Sequence, residues 1–435
     1  MTATMPWRAR KLLPLGTCLA ATILLAACQA EPLPAADART AGWRADLETL
    51  VTARENNHPD PWHGIDRARY IAEVDAVSTR VPELNDDELL VEITRLAAMP
   101  TWNGRDGHGG IHPWGEGTFD AHLYPLRLWH FSDGLFVTDA LPPYDDLVGA
   151  RVNSVNDYDV DEILAAVGPL VPRDNEQQLL SHGPRLIVTA EVLHGLGFID
   201  DPLAPVDIMI SQGGSSSRRV EVEPVPMQQY EGWAGGHHSM SPPARPTGPP
   251  WIRQLNNEIW WEYQPETRTA YVQYNFVGSG VAAVAKEVGA RLEQGDVDRL
   301  VVDVRHNPGG DNTTYGPLLT FLRSPEVNQP GRLYVIMGRA TFSAAGNFVT
   351  EVERSTSALL VGENLGSSPN MYGDSIPLEL EHSGLIFRVA PYYIEKSHPD
   401  DPRITIEPDI AVPPRSADYF GDRDPAMAAI AGTAG

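Results

Sequence analysis

Apolar residues recur at helical spacing between Trp43 and about Met99, with Leu47, Leu50 and Val51 in one stretch and Leu89, Leu90, Ile93 and Leu96 in another. This periodicity predicts a helical N-terminal region over 43–115. Between the two stretches, His58-Pro59-Asp60-Pro61-Trp62-His63 is a loop, because its two prolines break any helix. The Gly-rich run from Asn103 to Gly110 predicts a turn. Over 123–222 the apolar runs shorten to strand length: Leu126 and Leu128, then Leu135-Phe136-Val137, then Val148 to Asp157 as strand and turn, with a short helix over Val160 to Val167. Residues 225–250 are rich in Pro, Gly and Ser and predict a linker or long surface loop. From about 251 to 435, strands alternate with helices. Tyr271 to Phe276, Leu300 to Val304, Leu333 to Met337 and Ala358 to Val361 are the strands; Val281 to Leu292 and Ser343 to Glu353 are the helices. Such alternation predicts an α/β core.

The first residues carry a different pattern. Arg8, Arg10 and Lys11 precede a largely apolar run, Leu12 to Ala27, that is interrupted by Pro14, Gly16, Thr17, Cys18 and Thr22. It is short for a membrane span and has the layout of an export signal. It ends in Leu25-Ala26-Ala27-Cys28, which resembles the bacterial lipobox. Small Ala27 suits a cleavage pocket, and the Cys28 thiol is the only group there able to carry a thioether lipid. The other reading is a plain secretory signal cut near Ala30. The expectation is a signal peptide over 1–27, a Pro- and Ala-rich tether over 28–42, and anchoring through lipid on Cys28. Gln29 follows Cys28, so the outer membrane is expected where the cell has two.

Composition narrows the function classes. The chain has 435 residues, enough for two or three domains, with 42% hydrophobic and 21% charged residues, ordinary for a globular protein. A formal charge of −25 makes nucleic acid a poor partner. The only cysteines are Cys18 and Cys28, so a mature chain starting at Cys28 has neither an internal disulfide nor a cysteine-based metal site or catalytic thiol. The adjacent His237-His238 lie in the Pro-, Gly- and Ser-rich segment and are read as solvated, so no metal and no cofactor is expected.

Two passages carry candidate chemistry. In Leu300-Val301-Val302-Asp303-Val304-Arg305-His306-Asn307-Pro308-Gly309-Gly310, an apolar strand runs into a Gly-Gly turn. Glycines let backbone approach a ligand and aim N–H groups at it. In Ala340-Thr341-Phe342-Ser343-Ala344-Ala345-Gly346-Asn347-Phe348, a serine stands where a small-residue helix begins. Alone, such a serine reads as an N-cap as readily as a nucleophile exposed at the positive end of a helix.

Together the passages resemble the tail-specific (C-terminal-processing) serine peptidases and their tricorn-like relatives. Members of that family carry a strand, an Asp-x-Arg-x-Asn-x-Gly-Gly turn and a serine followed by small residues; here these are Asp303, Arg305, Asn307, Gly309, Gly310 and Ser343-Ala344-Ala345. Val361-Gly362-Glu363 and Glu407-Pro408-Asp409-Ile410 match later signatures. The resemblance implies a crotonase-like catalytic domain over 251–435. The strand–turn–helix passage resembles a PDZ domain, which makes 123–222 a PDZ-like module with an atypical insertion over Pro172 to Asp201. The implied activity is a serine peptidase acting on extracytoplasmic peptides or protein tails. Ser343 would be its nucleophile, and the N–H groups of Gly310 and Ala344 its oxyanion donors.

One departure bears on the base. Many family members place a lysine just after the Gly-Glu strand end, where this chain has Asn364-Leu365-Gly366-Ser367-Ser368-Pro369-Asn370. The tricorn-like branch uses a histidine from an N-terminal segment instead, and Asp106-Gly107-His108-Gly109-Gly110 resembles that segment. His108 is therefore the base candidate, with His112 behind it and Lys396 as a distant lysine. The acid that orients the histidine is Asp106, Glu363 or Asp401. Two other function classes stay open: a noncatalytic binding protein on the same fold, as the retinoid-binding protein of the eye exemplifies, and a small-molecule esterase or amidase.

The lipobox reading makes a direct prediction. Metabolic labelling with palmitate should mark the wild-type chain and leave Cys28→Ser unmarked. Equal labelling of both would leave the plain secretory signal as the reading.

Overall fold

A computed structural model describes residues 35–113, 119–213, 216–234 and 241–433. The signal segment, Cys28 and His237-His238 lie outside the described residues. Three helices open the described chain: Ala35–Asn57, Arg67–Arg80 and Asp86–Ala98. The first buries Trp43, Leu47 and Leu50 along one stripe. It begins inside the stretch expected to be a tether. The local sequence is alanine-rich, and Arg39 ties it down by bonding Asp86 and the Leu84 carbonyl, each at 2.8 Å. The second helix starts at Asp66, whose side chain accepts the Arg69 N–H. The third starts with a reciprocal Asn85/Glu88 capping box and three acidic residues in its first turn, which suit the positive end of the helix dipole. No helix among the described residues is long and apolar enough to cross a membrane.

The 123–222 stretch forms an antiparallel sheet whose main path runs Leu126–Phe131, Gly134–Ala140, Arg151–Val155, Val206–Ser211 and Arg218–Val222. The helix Val160–Val167 follows its strand as the pattern predicts. The insertion after it holds two more helices, Gln177–Ile187 and Ala190–Gly195. The second lies tight on Asp86–Ala98: a Cβ added at Gly195 would meet the Asp87 carbonyl oxygen at 2.2 Å. The expected 225–250 linker is partly ordered onto this module. Val225–Pro226 pairs with His122–Leu123, the helix Met227–Ala234 follows, and buried Tyr230 donates to the Leu126 carbonyl at 3.1 Å. An aromatic ring that can bury and also satisfy its hydroxyl holds such a segment down despite its loop-like composition.

The last third is an α/β layer. Its six-stranded sheet runs in the order Ile259–Gln264, Thr269–Tyr274, Arg299–Asp303, Leu333–Met337, Leu359–Gly362, Ile410–Ala411. Only the first pair is antiparallel. The central strands are buried on both faces, so they read as unbroken apolar runs rather than alternating ones. Leu300, Val302, Val335 and Met337 pack under the helices Val281–Leu292, Gly316–Leu322 and Ala344–Ser355, while Val301, Tyr334 and Ile336 face Ala426 and Ile430 of Pro425–Gly432. The strand Ile386–Val389 pairs with Gly110–Ile111 on one side and Ile376–Glu379 on the other, in a small separate sheet that anchors the end of the Gly-rich 103–110 turn.

Phe348 is fully buried, with its ring edge-on to Tyr274 and Tyr315 at 5.8 Å each. Phe348→Ala should lower unfolding stability by about 3–5 kcal/mol, the cost of a large core cavity. Urea denaturation followed by tryptophan fluorescence checks this, and a loss under about 1 kcal/mol would mean that the site collapses around the smaller side chain.

Candidate active site

Three loops leave the carboxyl ends of adjacent parallel strands, which is where open α/β sheets form their ligand crevice. The first follows Arg299–Asp303. Asp303 is fully buried; it accepts the Tyr271 hydroxyl at 2.6 Å and the Arg305 backbone N–H at 3.0 Å. Burial pushes its carboxyl above the usual range, opposed by the Arg305 guanidinium at 2.8 Å. Arg305 in turn reaches Asp424 at 2.9 Å, and Asp424 caps Pro425–Gly432. Asn307 donates to the Tyr274 carbonyl at 2.9 Å and accepts the Gly309 N–H at 2.9 Å. The Asp-Arg-Asn part of the motif is therefore scaffold: it fixes where the glycine turn points.

That turn needs glycine twice. Gly309 has φ 115°, and a Cβ there would meet the Ser343 Cβ at 2.7 Å. Gly310 has φ 139°, and a Cβ there would meet the Val277 carbonyl oxygen at 2.2 Å. Both backbones lie where L side chains are strained, and both approaches are closed to a side chain.

The second loop follows Leu333–Met337 and ends at Ser343, at the mouth of Ala344–Ser355. Ser343 has φ 55° and ψ −125°, a costly conformation for a residue other than glycine. Its side chain makes no cap hydrogen bond to the helix. Instead, Oγ lies 2.8 Å from His108 Nε2. The N-cap alternative left open by the sequence is thus not the geometry adopted. Phe342 N–H donates to the Asn307 carbonyl at 3.0 Å, which locks this loop to the glycine turn. The amides of Gly309 and Ala345 are bonded within the chain. Among the described residues, those of Gly310 and Ala344 donate to no group. They belong to neighbouring segments, since the Cβ position at Gly309 lies 3.1 Å from the Ala344 nitrogen.

His108 arrives from far away in sequence, on the Gly-rich turn. Its ring packs against Phe342 with centroids 4.5 Å apart. Burial depresses its pKa below the ordinary value, although the charges of Asp106 and Asp374 and the Tyr372 backbone oppose this. The ring is neutral at pH 7, the form that can accept a proton.

The three candidate orienting acids are all committed elsewhere. Asp106 Oδ2 faces Arg54 at 3.3 Å, His58 Nε2 at 3.4 Å and His63 Nε2 at 3.5 Å. Glu363 pairs with Arg339, whose guanidinium also donates to the His130 carbonyl at 2.6 Å. Asp401 is held by Arg403 at 2.8 Å and the Ser397 hydroxyl at 2.5 Å. None of them hydrogen-bonds His108, and the expectation of a direct third member from this trio is corrected accordingly. Each acid found a cationic partner that lies far off in sequence or outside the motif. Of the three, only Asp106 acts on His108, through its charge. His112 is half-buried beside His182, ring centroids 5.8 Å apart, and desolvation pushes its pKa down to about 3. Lys396 bonds Glu351 at 2.9 Å, two helical turns beyond Ser343.

His58, His63 and Asp106 bring one ligand atom each within 4.8 Å of one another. They do not suit a cation. The Arg54 guanidinium already faces the same carboxylate oxygen, and His58 Nδ1 accepts the Asp60 N–H at 3.1 Å, which leaves Nε2 as the protonated nitrogen of a neutral ring. Sequence reasoning missed two residues. Ser367, in the third loop, accepts the Ser343 N–H at 2.8 Å, and Asp174 bonds Gly107 at 2.7 Å and Ser368 at 2.9 Å. Ser367 had one signal: it stands in the stretch where the lysine is missing. Asp174 had none.

No family model matches the sequence, and no curated protein matches it. Mature CPAF complexed with lactacystin is 12% identical, with a TM-score of 0.62 over 90% of this chain and 98% of that one. Mature CPAF alone is 12% identical, with a TM-score of 0.61 over 90% and 96% of the two chains. The photosystem II D1 C-terminal processing protease is 13% identical over 85% of this chain and 93% of its own, with a TM-score of 0.40. At such identities the likeness is one of fold: this chain has the fold of mature CPAF over nearly its whole described length.

Proposed function

We propose that the chain is a serine peptidase of the tail-specific type, in its histidine-using, tricorn-like branch. On this reading residues 251–435 form the crotonase-like catalytic domain and 123–222 a PDZ-like module. The observation that carries it is the 2.8 Å approach of His108 Nε2 to an Ser343 Oγ that caps no helix. His108 takes the hydroxyl proton while Oγ bonds to the carbonyl carbon of the substrate. The carbonyl oxygen becomes an oxyanion facing the Gly310 and Ala344 N–H groups, which are already in place and need no reorganisation. Collapse breaks the C–N bond, and the proton on His108 goes to the leaving amine. Water, deprotonated by the same imidazole, then hydrolyses the acyl-enzyme. Phe276 is 44% exposed and its ring lies beside the glycine turn, with Cε1 3.0 Å from the Cβ position at Gly310. An apolar substrate side chain next to the scissile carbonyl would cover it. The substrates are extracytoplasmic peptides or protein tails, met by a chain anchored through Cys28.

A fluorophosphonate probe should label Ser343 in the wild type and leave Ser343→Ala unlabelled with its fold intact. His108→Ala should lower turnover roughly 10²–10⁴-fold, the usual scale for losing a general base. Because the His108 pKa is depressed, its ring stays available as a base on acidification through the ordinary histidine value of about 6.5, and its own protonation lowers activity only below that value, so a fall nearer pH 7 belongs to another group. A wild-type chain that takes no label and cleaves neither peptides nor esters would instead be a binding protein. Cleavage of small esters with no cleavage of peptides would make it an esterase.

A further inference from the structure

We propose that Asp174 and Ser367 form a strut that sets the distance and angle between His108 and Ser343, each acting as a positioning residue and neither touching substrate. The proposal rests on the serine-peptidase reading above. Asp174 comes from the insertion after the helix Val160–Val167, a segment outside both sequence motifs. It is fully buried. Its Oδ1 accepts the N–H of Gly107, the residue before His108, at 2.7 Å. Its Oδ2 accepts the N–H of Ser368 at 2.9 Å. The residue before Ser368 is Ser367, whose Oγ accepts the Ser343 N–H at 2.8 Å. One carboxylate thus bridges the loop bearing the base and the loop that holds the nucleophile's backbone.

The surroundings make the bridge rigid. The Asp174 carbonyl accepts the Arg105 N–H at 3.0 Å and the Ser368 hydroxyl at 3.2 Å. The Asp174 N–H donates to Gln178, and the Asn175 amide donates to the Leu365 and Ile404 carbonyls at 3.1 and 2.8 Å. The insertion is therefore bonded to both loops through two consecutive residues, Asp174 and Asn175.

The choice of residue is informative. Among the described residues Asp174 makes no ion pair, and burial pushes its carboxyl up to about 7. An unpaired buried carboxylate is costly. Stability alone would be served as well by an apolar side chain and a locally satisfied backbone. What only a carboxylate of this length supplies is two acceptor oxygens for two facing N–H groups at once. An asparagine would satisfy one loop and present its NH₂ to the N–H of the other. The Ser367 bond has a further consequence: it occupies the Ser343 N–H, so the amides left to face an oxyanion are those of Gly310 and Ala344.

The test uses the full-length chain and its Asp174→Asn and Ser367→Ala variants. Three quantities are compared: the rate of Ser343 modification by a fluorophosphonate, kcat and KM on an activated ester, and thermal unfolding. Each variant should stay folded, react about 10–100-fold more slowly and lose kcat with KM unchanged, the signature of misaligned groups rather than lost binding. A folded Asp174→Asn that reacts at the wild-type rate overturns the proposal. So does a loss confined to KM, or unfolding of both variants, since the contacts would then serve binding or stability and not alignment. A wild-type chain that does not react at all overturns the serine-peptidase reading as well, which separates that failure from the failure of the strut alone.

Discussion

The site depends on a backbone that one residue would not adopt unaided. Ser343 sits at φ 55° and ψ −125°, and such a conformation costs on the order of 1–3 kcal/mol for a residue with a Cβ. It turns the hydroxyl out of the helix mouth and toward His108. Three hydrogen bonds hold it: Phe342 N–H to the Asn307 carbonyl, Ser343 N–H to Ser367, and Asn347 N–H to the Ser343 carbonyl at 2.9 Å. Relaxation to ordinary helical geometry would break the first two and return Ser343 to the role of an N-cap. The strain and the direction of the Ser343 hydroxyl are thus one feature.

Around that point the structure puts buried charges to mechanical use. Asp303, Arg305 and Asp424 form a line from the end of a central strand to the cap of Pro425–Gly432. Arg339 joins Glu363 to the His130 carbonyl of the antiparallel module. Buried pairs of this kind add little net stability, because desolvation offsets their attraction. They do fix geometry, since each partner has one place in which it is satisfied. The motif residues Asp303, Arg305 and Asn307 are accordingly struts, while the groups left free to meet a ligand are the Ser343 hydroxyl, the His108 ring and two backbone amides.

How far the sequence was legible follows from how local each feature is. Val281–Leu292 and Leu333–Met337 have the predicted bounds, because periodicity and apolar runs are properties of adjacent residues. The Gly309-Gly310 turn and Ser343 were legible for the same reason. The orienting acid was not. Asp106 and Glu363 stood next to motifs, and nothing in the local sequence says that Arg54 and Arg339, 52 and 24 residues away, would take them up; Asp401 is taken up by Arg403, two residues on. The 225–250 segment reads as a linker by composition, yet one buried tyrosine and the Arg127 bond to the Ala234 carbonyl at 3.2 Å keep part of it on the module. Asp174 lies in a stretch without pattern, and its partners Gly107 and Ser368 are 67 and 194 residues away. No periodicity reaches that far.

The same non-locality ties the site to the whole fold. His108 and Ser343 are 235 residues apart in sequence, yet Nε2 and Oγ are 2.8 Å apart. His108 is carried by a Gly-rich turn, a poor holder by itself, since glycine backbone has the most freedom to lose. Its position is imposed from outside by the strand pairing of Gly110 with Arg388, the Tyr372 N–H on the Arg105 carbonyl at 2.6 Å, and the Asp174 bond to Gly107. Each of these comes from a different part of the chain. A local opening in any one of them would free the turn before the α/β layer itself unfolded. The sheet and its helices therefore position Ser343 and the amides of Gly310 and Ala344, while the remaining chain delivers His108. Contacts from distant parts of the chain are what bring the two halves of the site together.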